Sequence, residues 1–253
     1  MMKTIIMPIA YLGELTLLLI QTFSFIFQRA VNLRLTVQQM ALIGVNSLPI
    51  VLLTTAFTGM VISLQVAHEA VRFGGGKLVG GLVAVAMARE LAPVLTGVVV
   101  AGRAGSAICA ELGSMKVSEQ IDAMEVSSTN PINFLVVTRV VAATLMIPLL
   151  VFYADAFSML GSWLGSNIKG DISFVLFSSQ AFSHITFLDF LPAIIKSFFF
   201  GSVIGLVGCY KGYNAGRGTA SVGVAANSAV VVSSLLVIIV DLIAVQITDL
   251  IVL

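Results

Sequence analysis

The sequence predicts an all-α integral membrane protein: an N-terminal helix lying in the membrane interface, five transmembrane helices, and a short helix between the second and third spans. Three observations predict it. Of the 253 residues, 58% are hydrophobic and only 10% are charged, whereas a soluble domain is about half apolar and about a quarter charged. The mean hydropathy is +1.08. Finally, apolar stretches recur at the length of about 20 residues that a helical span needs, and one of them, Leu35–Ala67, holds no charge at all. The chain reads as one domain over 1–253, with an N-terminal region over 1–40, a bundle over 43–250 and a polar segment over 111–130.

The apolar stretch Leu15–Phe27 is too short to span and is interrupted by Gln21, Thr22 and Ser24, with Gln28 at its end. With Arg29 and Arg34 just beyond, it reads as an interfacial amphipathic helix. Lys3, Pro8 and Glu14 precede it and no small-x-small cleavage site follows, so it does not read as a signal peptide, and the mature protein is expected to be the whole chain. The first span is placed at about Ile43–Gln65, with Pro49 as a possible kink. "HEAVRFGGG" (His68–Gly76) makes a turn, and the second span covers about Gly80–Cys109. A third span covers about Ile132–Tyr153, extending towards Leu164. Gly165–Thr186 reads as a mixed connection, the fourth span as Phe187–Tyr210, and the fifth as Val222–Ile247 after the glycine-rich "KGYNAGRGTAS".

Five spans put the two ends on opposite sides, and Lys and Arg decide which is which. One set of ends and loops carries Lys3, Arg29, Arg34, Arg103, Lys116, Lys211 and Arg217; the other carries Arg72, Lys77 and Lys169. That bias puts the N-terminus, and the polar segment 111–130, in the cytoplasm. Glycines recur at four-residue spacing (Gly161/Gly165, Gly201/Gly205, Gly208/Gly212/Gly216). Such spacing lets helix backbones approach closely in lipid, within one chain or across a dimer seam.

Several function classes drop out. A formal charge of +1 gives no basic footprint for nucleic acid. "FGGGKLVGG" is not a phosphate loop, because Val71 stands where the first glycine is required and Leu78 follows Lys77. His68 and His184 have no ligand-spaced partner, so no metal is expected. Cys109 and Cys209 sit among small apolar residues, where a cysteine packs as a small hydrophobe. No enzyme signature is present.

The informative residues are the charges inside spans. In "VAVAMARELAPVLTG", Arg89 and Glu90 are the only charges between Lys77 and Arg103; Lys196 and Asp241 interrupt the fourth and fifth spans. A charge at membrane depth costs about 2.5–3.5 kcal/mol on insertion scales, so such residues face a bundle interior or a wet cavity. Neighbours on an α-helix diverge by about 100°, so Arg89 and Glu90 are expected to reach across to other helices, with Lys196 and Asp241 as candidates, rather than to each other. These charges either staple the bundle or line a polar cavity; the residues alone leave both open.

"ELGSMKVSEQIDAME" (Glu111–Glu125) differs in kind. Ser118 can cap a short helix with Glu119 near its N-terminus. Val117, Ile121 and Met124 then share one face, while Glu119, Asp122 and Glu125 gather on another, and Asn130-Pro131 ends the segment. An acidic face suits an anionic leaflet poorly, which favours docking to a protein partner.

The run "ARELAPVLTGVVVAGRAGSAICAELGSMKVSEQIDAMEV" (Ala88–Val126), continuing to "NPINFLVVTRVVA" (Asn130–Ala142), resembles the MlaE-type permeases, the membrane subunits of MCE-associated phospholipid ABC transporters. Ala92 stands where that family usually has Gly, and Cys109 where it usually has Ala. The resemblance implies a multi-pass permease that works as a homodimer, in a bacterial inner membrane or a plastid inner envelope; that no transit peptide is read at the N-terminus favours the bacterial inner membrane. Each copy would rest on a cytoplasmic ABC ATPase, which would bind the ATP and magnesium, this chain holding no cofactor. A small regulatory subunit on that ATPase stays open. An MCE-domain protein on the outer side would exchange phospholipid with the outer envelope. Ser118, Glu119, Gln120, Ile121, Asp122, Met124 and Glu125 would form the coupling helix that inserts into the ATPase. Ile62, Val66 and Phe73 would face acyl chains in a cavity walled by the first, second and fifth spans, and Arg89, Glu90, Lys196 and Asp241 would be the family's buried charges. An ion-coupled secondary transporter, with inverted repeats that are not evident here, and a non-transporting scaffold are the rival readings.

Overall fold

In a computed structural model of the chain, residues 2–27, 32–72, 79–170 and 172–252 are described. Phe73, Arg29 and Lys77, named above, lie outside them. Among the described residues there is no strand. The N-terminal helix α1 (Met2–Phe27) starts well before Leu15. Among the described residues, five helices are long and apolar enough to cross a membrane: α2 (Leu33–Arg72), α3 (Val79–Val117), α5 (Ile132–Lys169), α7 (Phe187–Tyr213) and α8 (Thr219–Val252). A short α4 (Gln120–Val126) joins α3 to α5. All five spans extend beyond the expected limits, because polar and charged residues such as Gln38, Gln39, Glu69, Glu111 and Lys211 continue the helices past their apolar stretches.

One element departs from the sequence reading. Gly165–Thr186 is not a mixed connection: α5 continues through its first residues, and Phe174–His184 forms a further helix, α6. Ser173 caps it, its hydroxyl accepting from the Leu176 N–H, and His184 stands in its last turn, where the helix dipole favours a cation.

Contacts gather into two compact units, each drawing on several of the long helices. The first comprises Met1–Ile43, Val100–Met146 and Gly201–Val237. Within it, α7 lays Gly201 and Gly205 against the α5 backbone at Ala143 and Val140, and Gly208 and Gly212 against α3 at Gly105 and Cys109. Tyr210 donates to Glu14 and so ties α1 to α7. Arg139 of α5 is buried; it meets Glu111 of α3 at 2.7 Å and donates to the Leu135 carbonyl at 2.9 Å. Cys109 and Cys209 are buried free thiols.

The second unit comprises Gly44–Val99, Ile147–Phe200 and Ile238–Leu253. Here α2 and α5 meet through small residues. Gly161 abuts the Ala56 carbonyl and Gly165 that of Met60. Ser63 donates to the Ser162 carbonyl and pairs with the Ser166 hydroxyl, both at 2.6 Å. On the other side, Gly80 and Gly81 of α3 seat Gln180 and His184 of α6. The glycines at 161/165, 201/205 and 208/212 therefore pack helices within the chain, whereas Gly216 lies in the loop after α7 beside Ser221.

Close approach of this kind makes a sharp prediction. A Cβ at Gly161 would overlap the Ala56 backbone, whereas one at Gly223 meets open space. Gly161→Ala should destabilise the protein by about 1–3 kcal/mol, the usual range for overpacking, while Gly223→Ala should leave stability unchanged or slightly raised. Thermal unfolding of the purified variants in one detergent reads the difference.

Candidate functional site

The segment around Arg89 and Glu90 is not plain α-helix. Met87–Leu91 is a π turn, in which the Ala92 N–H reaches back to the Met87 carbonyl. Pro93 supplies a reason: its ring would collide with the carbonyl four residues earlier, that of Arg89, and it has no N–H to offer it. Widening the turn just before the proline relieves both problems, and such π segments are frequent at functional sites. The wider turn also moves successive side chains towards one face. Arg89 Nε consequently comes within 4.0 Å of Glu90 Oε1, a proximity that the expectation for an ordinary helix had excluded.

Glu90 is held more tightly by another helix. Lys196 Nζ of α7 lies 2.6 Å from Glu90 Oε2 and 2.8 Å from Asp241 Oδ1 of α8. The Asp241 contact is an ion pair by distance without hydrogen-bond geometry. Arg89 turns instead to Asp249 of α8, 2.8 Å away. The sequence therefore named four of five members of this chain and missed Asp249, which stands one residue from the C-terminal Leu250 of the apolar stretch, where a charge looks like a helix end. The burial is uneven: the Lys196 side chain is 3% exposed, while Arg89 and Glu90 are about one-third exposed. Two cations thus face three carboxylates across α3, α7 and α8. Arg139, in the third span, is a further buried charge that the sequence reading passed over.

Of the proposed acyl-chain contacts, Ile62 and Val66 are half-buried on one face of α2, a helical turn apart.

The segment after α3 is built differently from expectation. Ser118 does not cap α4; its hydroxyl donates to the Ser114 carbonyl at 2.8 Å and closes α3. Glu119 then turns the chain in the left-handed region, φ 58°, and stands at the N-cap of α4 without a side-chain capping bond. Ile121 is fully buried, Val117 and Met124 are half-buried, and Gln120 donates to the Ser118 hydroxyl. Two of the three acidic residues are engaged within the chain: Asp122 meets Lys116 at 2.8 Å, and Glu125 accepts from the Tyr213 hydroxyl at 3.2 Å. Ala123 and Val126 face outward, Val126 at 88% exposure. Asn130 caps α5 by accepting from the Ile132 N–H at 3.0 Å, with Pro131 at the first helical position.

The profile of the family described as Permease MlaE matches residues 36–247. The chain belongs to the MlaE permease family. It is 38% identical over 216 residues to a probable ABC transporter permease protein of Rickettsia typhi, covering 85% of this chain and 83% of that one. It is 40% identical over 215 residues to a probable ABC transporter permease protein of Synechocystis, covering 85% and 82%. Over 208 residues it is 39% identical to the Arabidopsis thaliana protein TRIGALACTOSYLDIACYLGLYCEROL 1, chloroplastic, covering 82% of this chain and 59% of that one. This MlaE-family chain is thus a multi-pass ABC transporter permease, a class that works with an ATPase.

The ionic chain of this permease makes a quantitative prediction. Breaking a buried pair leaves a stranded charge and costs about 3–5 kcal/mol, whereas exposed pairs contribute about 0–1 kcal/mol. Lys196→Met should therefore destabilise strongly, and adding Glu90→Gln and Asp241→Asn should recover much of the loss. The half-exposed Arg89–Asp249 pair should show a coupling below about 1 kcal/mol. Double-mutant cycles on unfolding free energy in mixed micelles compare the two.

Proposed function

We propose that this permease moves phospholipid between a bacterial inner membrane and the outer envelope, as a homodimer driven by a cytoplasmic ATPase. An MCE-domain protein receives or supplies the lipid on the other side. ATP and magnesium belong to the ATPase, on which a small regulatory subunit can sit. Three things support the reading. A relative is named for a galactolipid. The excess of Lys and Arg on one set of ends and loops favours a cytoplasmic N-terminus and a cytoplasmic Gln120–Val126. The first and fifth spans, which the family resemblance sets around the lipid cavity, are the least enclosed by their own chain, at 28% and 17% buried against 67% for the third.

The observation that carries the mechanism is the order of parts along α3. The helix that bears Arg89 and Glu90 leads directly into α4, whose inward face is anchored by Ile121 and whose outward side presents Ala123 and Val126. Displacement of α4 by a closing ATPase moves α3, and with it Glu90, whose carboxylate shares Lys196 with that of Asp241 on α8. The ion pairs keep α3, α7 and α8 in register while an apolar wall, including Ile62 and Val66, changes shape around the acyl chains. No covalent step falls to this chain.

Reconstitution of the permease with its ATPase and MCE partner in liposomes carrying a fluorescent phospholipid tests the reading. Transfer should require ATP and the ATPase. Glu90→Gln should lower the rate at least about tenfold, the loss of one charge-assisted hydrogen bond, in a complex that still assembles. Val126→Asp should weaken the attachment of the ATPase and lower transfer with it. Transfer at full rate on the permease alone, or driven by a pH gradient without ATP, would instead establish the ion-coupled alternative.

A further inference from the structure

The stretch of chain that carries α4 is closed at its base by a charge pair. Glu111 of α3 and Arg139 of α5 meet at 2.7 Å, and α4 stands between them in sequence. The Arg139 side chain is 4% exposed and that of Glu111 47%. The guanidinium also donates to the Leu135 carbonyl at 2.9 Å, inside a π segment, Ile132–Val137, with which α5 opens. Its Nε has no hydrogen-bond partner among the described residues. Replacing a buried ion pair by apolar side chains of similar size is often neutral or stabilising. Stability alone therefore gives no reason to keep an arginine here with a donor unsatisfied.

Its position gives one. On the α4 side of the pair, backbone hydrogen bonds stiffen the connection at both ends. The Ser118, Glu119 and Ala123 N–H groups donate to the carbonyls of Ser114, Lys116 and Glu119, and those of Ser128 and Thr129 to the carbonyls of Glu125 and Met124. On the other side, the pair adjoins close contacts with α7. Val140, next to Arg139, lies against Gly205, and Cys109, two residues from Glu111, lies against Gly212. The pair thus stands where α3, α5 and α7 come together, between α4 and the helix that bears Lys196.

We infer that Glu111 and Arg139 form a coupling clamp, which makes α3 and α5 a single lever so that displacement of α4 reaches α7 instead of being taken up by α3 alone. This role rests on the ATP-driven transport proposed above. Both are positioning residues, acting through the helices they join. With the clamp broken, the ends of α3 and α5 move apart, and the ATPase turns over without a matching movement of the bundle.

The test uses the permease assembled with its ATPase and MCE partner in liposomes, with ATP hydrolysis and transfer of a fluorescent phospholipid followed in the same vesicles. Glu111→Gln keeps the shape and an acceptor oxygen but exchanges a charge-assisted bond for a neutral one about half as strong. It should raise the ATP hydrolysed per phospholipid moved about fivefold. Arg72→Gln, which removes an exposed pair within α2, should leave that ratio as in wild type. A cavity of about 600 Å³, lined in part by Gln38, Glu111, Phe134 and Arg139, adjoins the pair and gives a short thiol-to-thiol cross-linker access. In a background with Cys109 and Cys209 replaced by alanine, Glu111→Cys with Arg139→Cys should be uncoupled before bridging and recover the ratio of that background after it. An unchanged ratio in Glu111→Gln, or bridging that stops transfer while hydrolysis continues, would overturn the clamp and leave the transport reading standing. Transfer at full rate by the wild-type permease without ATP would overturn both.

Discussion

A buried lysine that answers to two carboxylates on two other helices is the constraint around which this permease is arranged. Lys196 is almost wholly enclosed, and Glu90 and Asp241 approach it within 2.8 Å. In an apolar bundle an unpaired charge costs far more than a pair, so α3, α7 and α8 cannot separate freely at this level. The π turn before Pro93 is part of the same device: it presents Arg89 and Glu90 towards one side, so that Arg89 can extend the alternation of charge to Asp249.

The rest of the molecule allows that constraint to coexist with close packing. Helices in lipid are held by dispersion and by scattered hydrogen bonds rather than by the hydrophobic effect. Glycine and serine stripes supply both: Gly161 and Gly165 with Ser63, Ser162 and Ser166 in the second unit, and Gly201 through Gly212 in the first. The polar segment is anchored by the buried Ile121 alone on its inner face and, at the surface, by a Lys116–Asp122 pair and a Tyr213–Glu125 hydrogen bond. Exposed pairs of this sort contribute about 0–1 kcal/mol, which suits a piece that exchanges its contacts with a partner.

Most of the span architecture was legible from composition, because a charge-poor stretch such as Leu35–Ala67 has few alternatives to a helix in lipid. The motif Ala88–Ala142 carried the family. What stayed hidden had local physical causes. α6 was missed because its phenylalanines and serines lack a charge contrast, although Ser173 at its start and His184 at its end are capping signals. Ser118 looked like the cap of α4, but a serine can equally donate back to the carbonyl four residues earlier, and it does so here. The approach of Arg89 to Glu90 was excluded on ordinary helical geometry, which Pro93 locally overrides. Asp249 and Arg139 were passed over because a charge near a span terminus reads as a boundary.

The claim at the centre of this account is that the ion-paired helices form a moving element under nucleotide control, and an interhelical distance tests it most directly. Spin labels at Val61 of α2, on the apolar wall, and Ile243 of α8, in the ion-paired set, both exposed, in a background with Cys109 and Cys209 replaced by alanine, would report that distance. It would be measured in the assembled transporter without nucleotide and with trapped ATP. The account predicts a shift in the distance distribution of about 2 Å or more between the two states, the scale of helix displacements in switching proteins. A single unchanged distribution, in a complex that hydrolyses ATP and transfers lipid, would contradict it and leave the charges as a static staple.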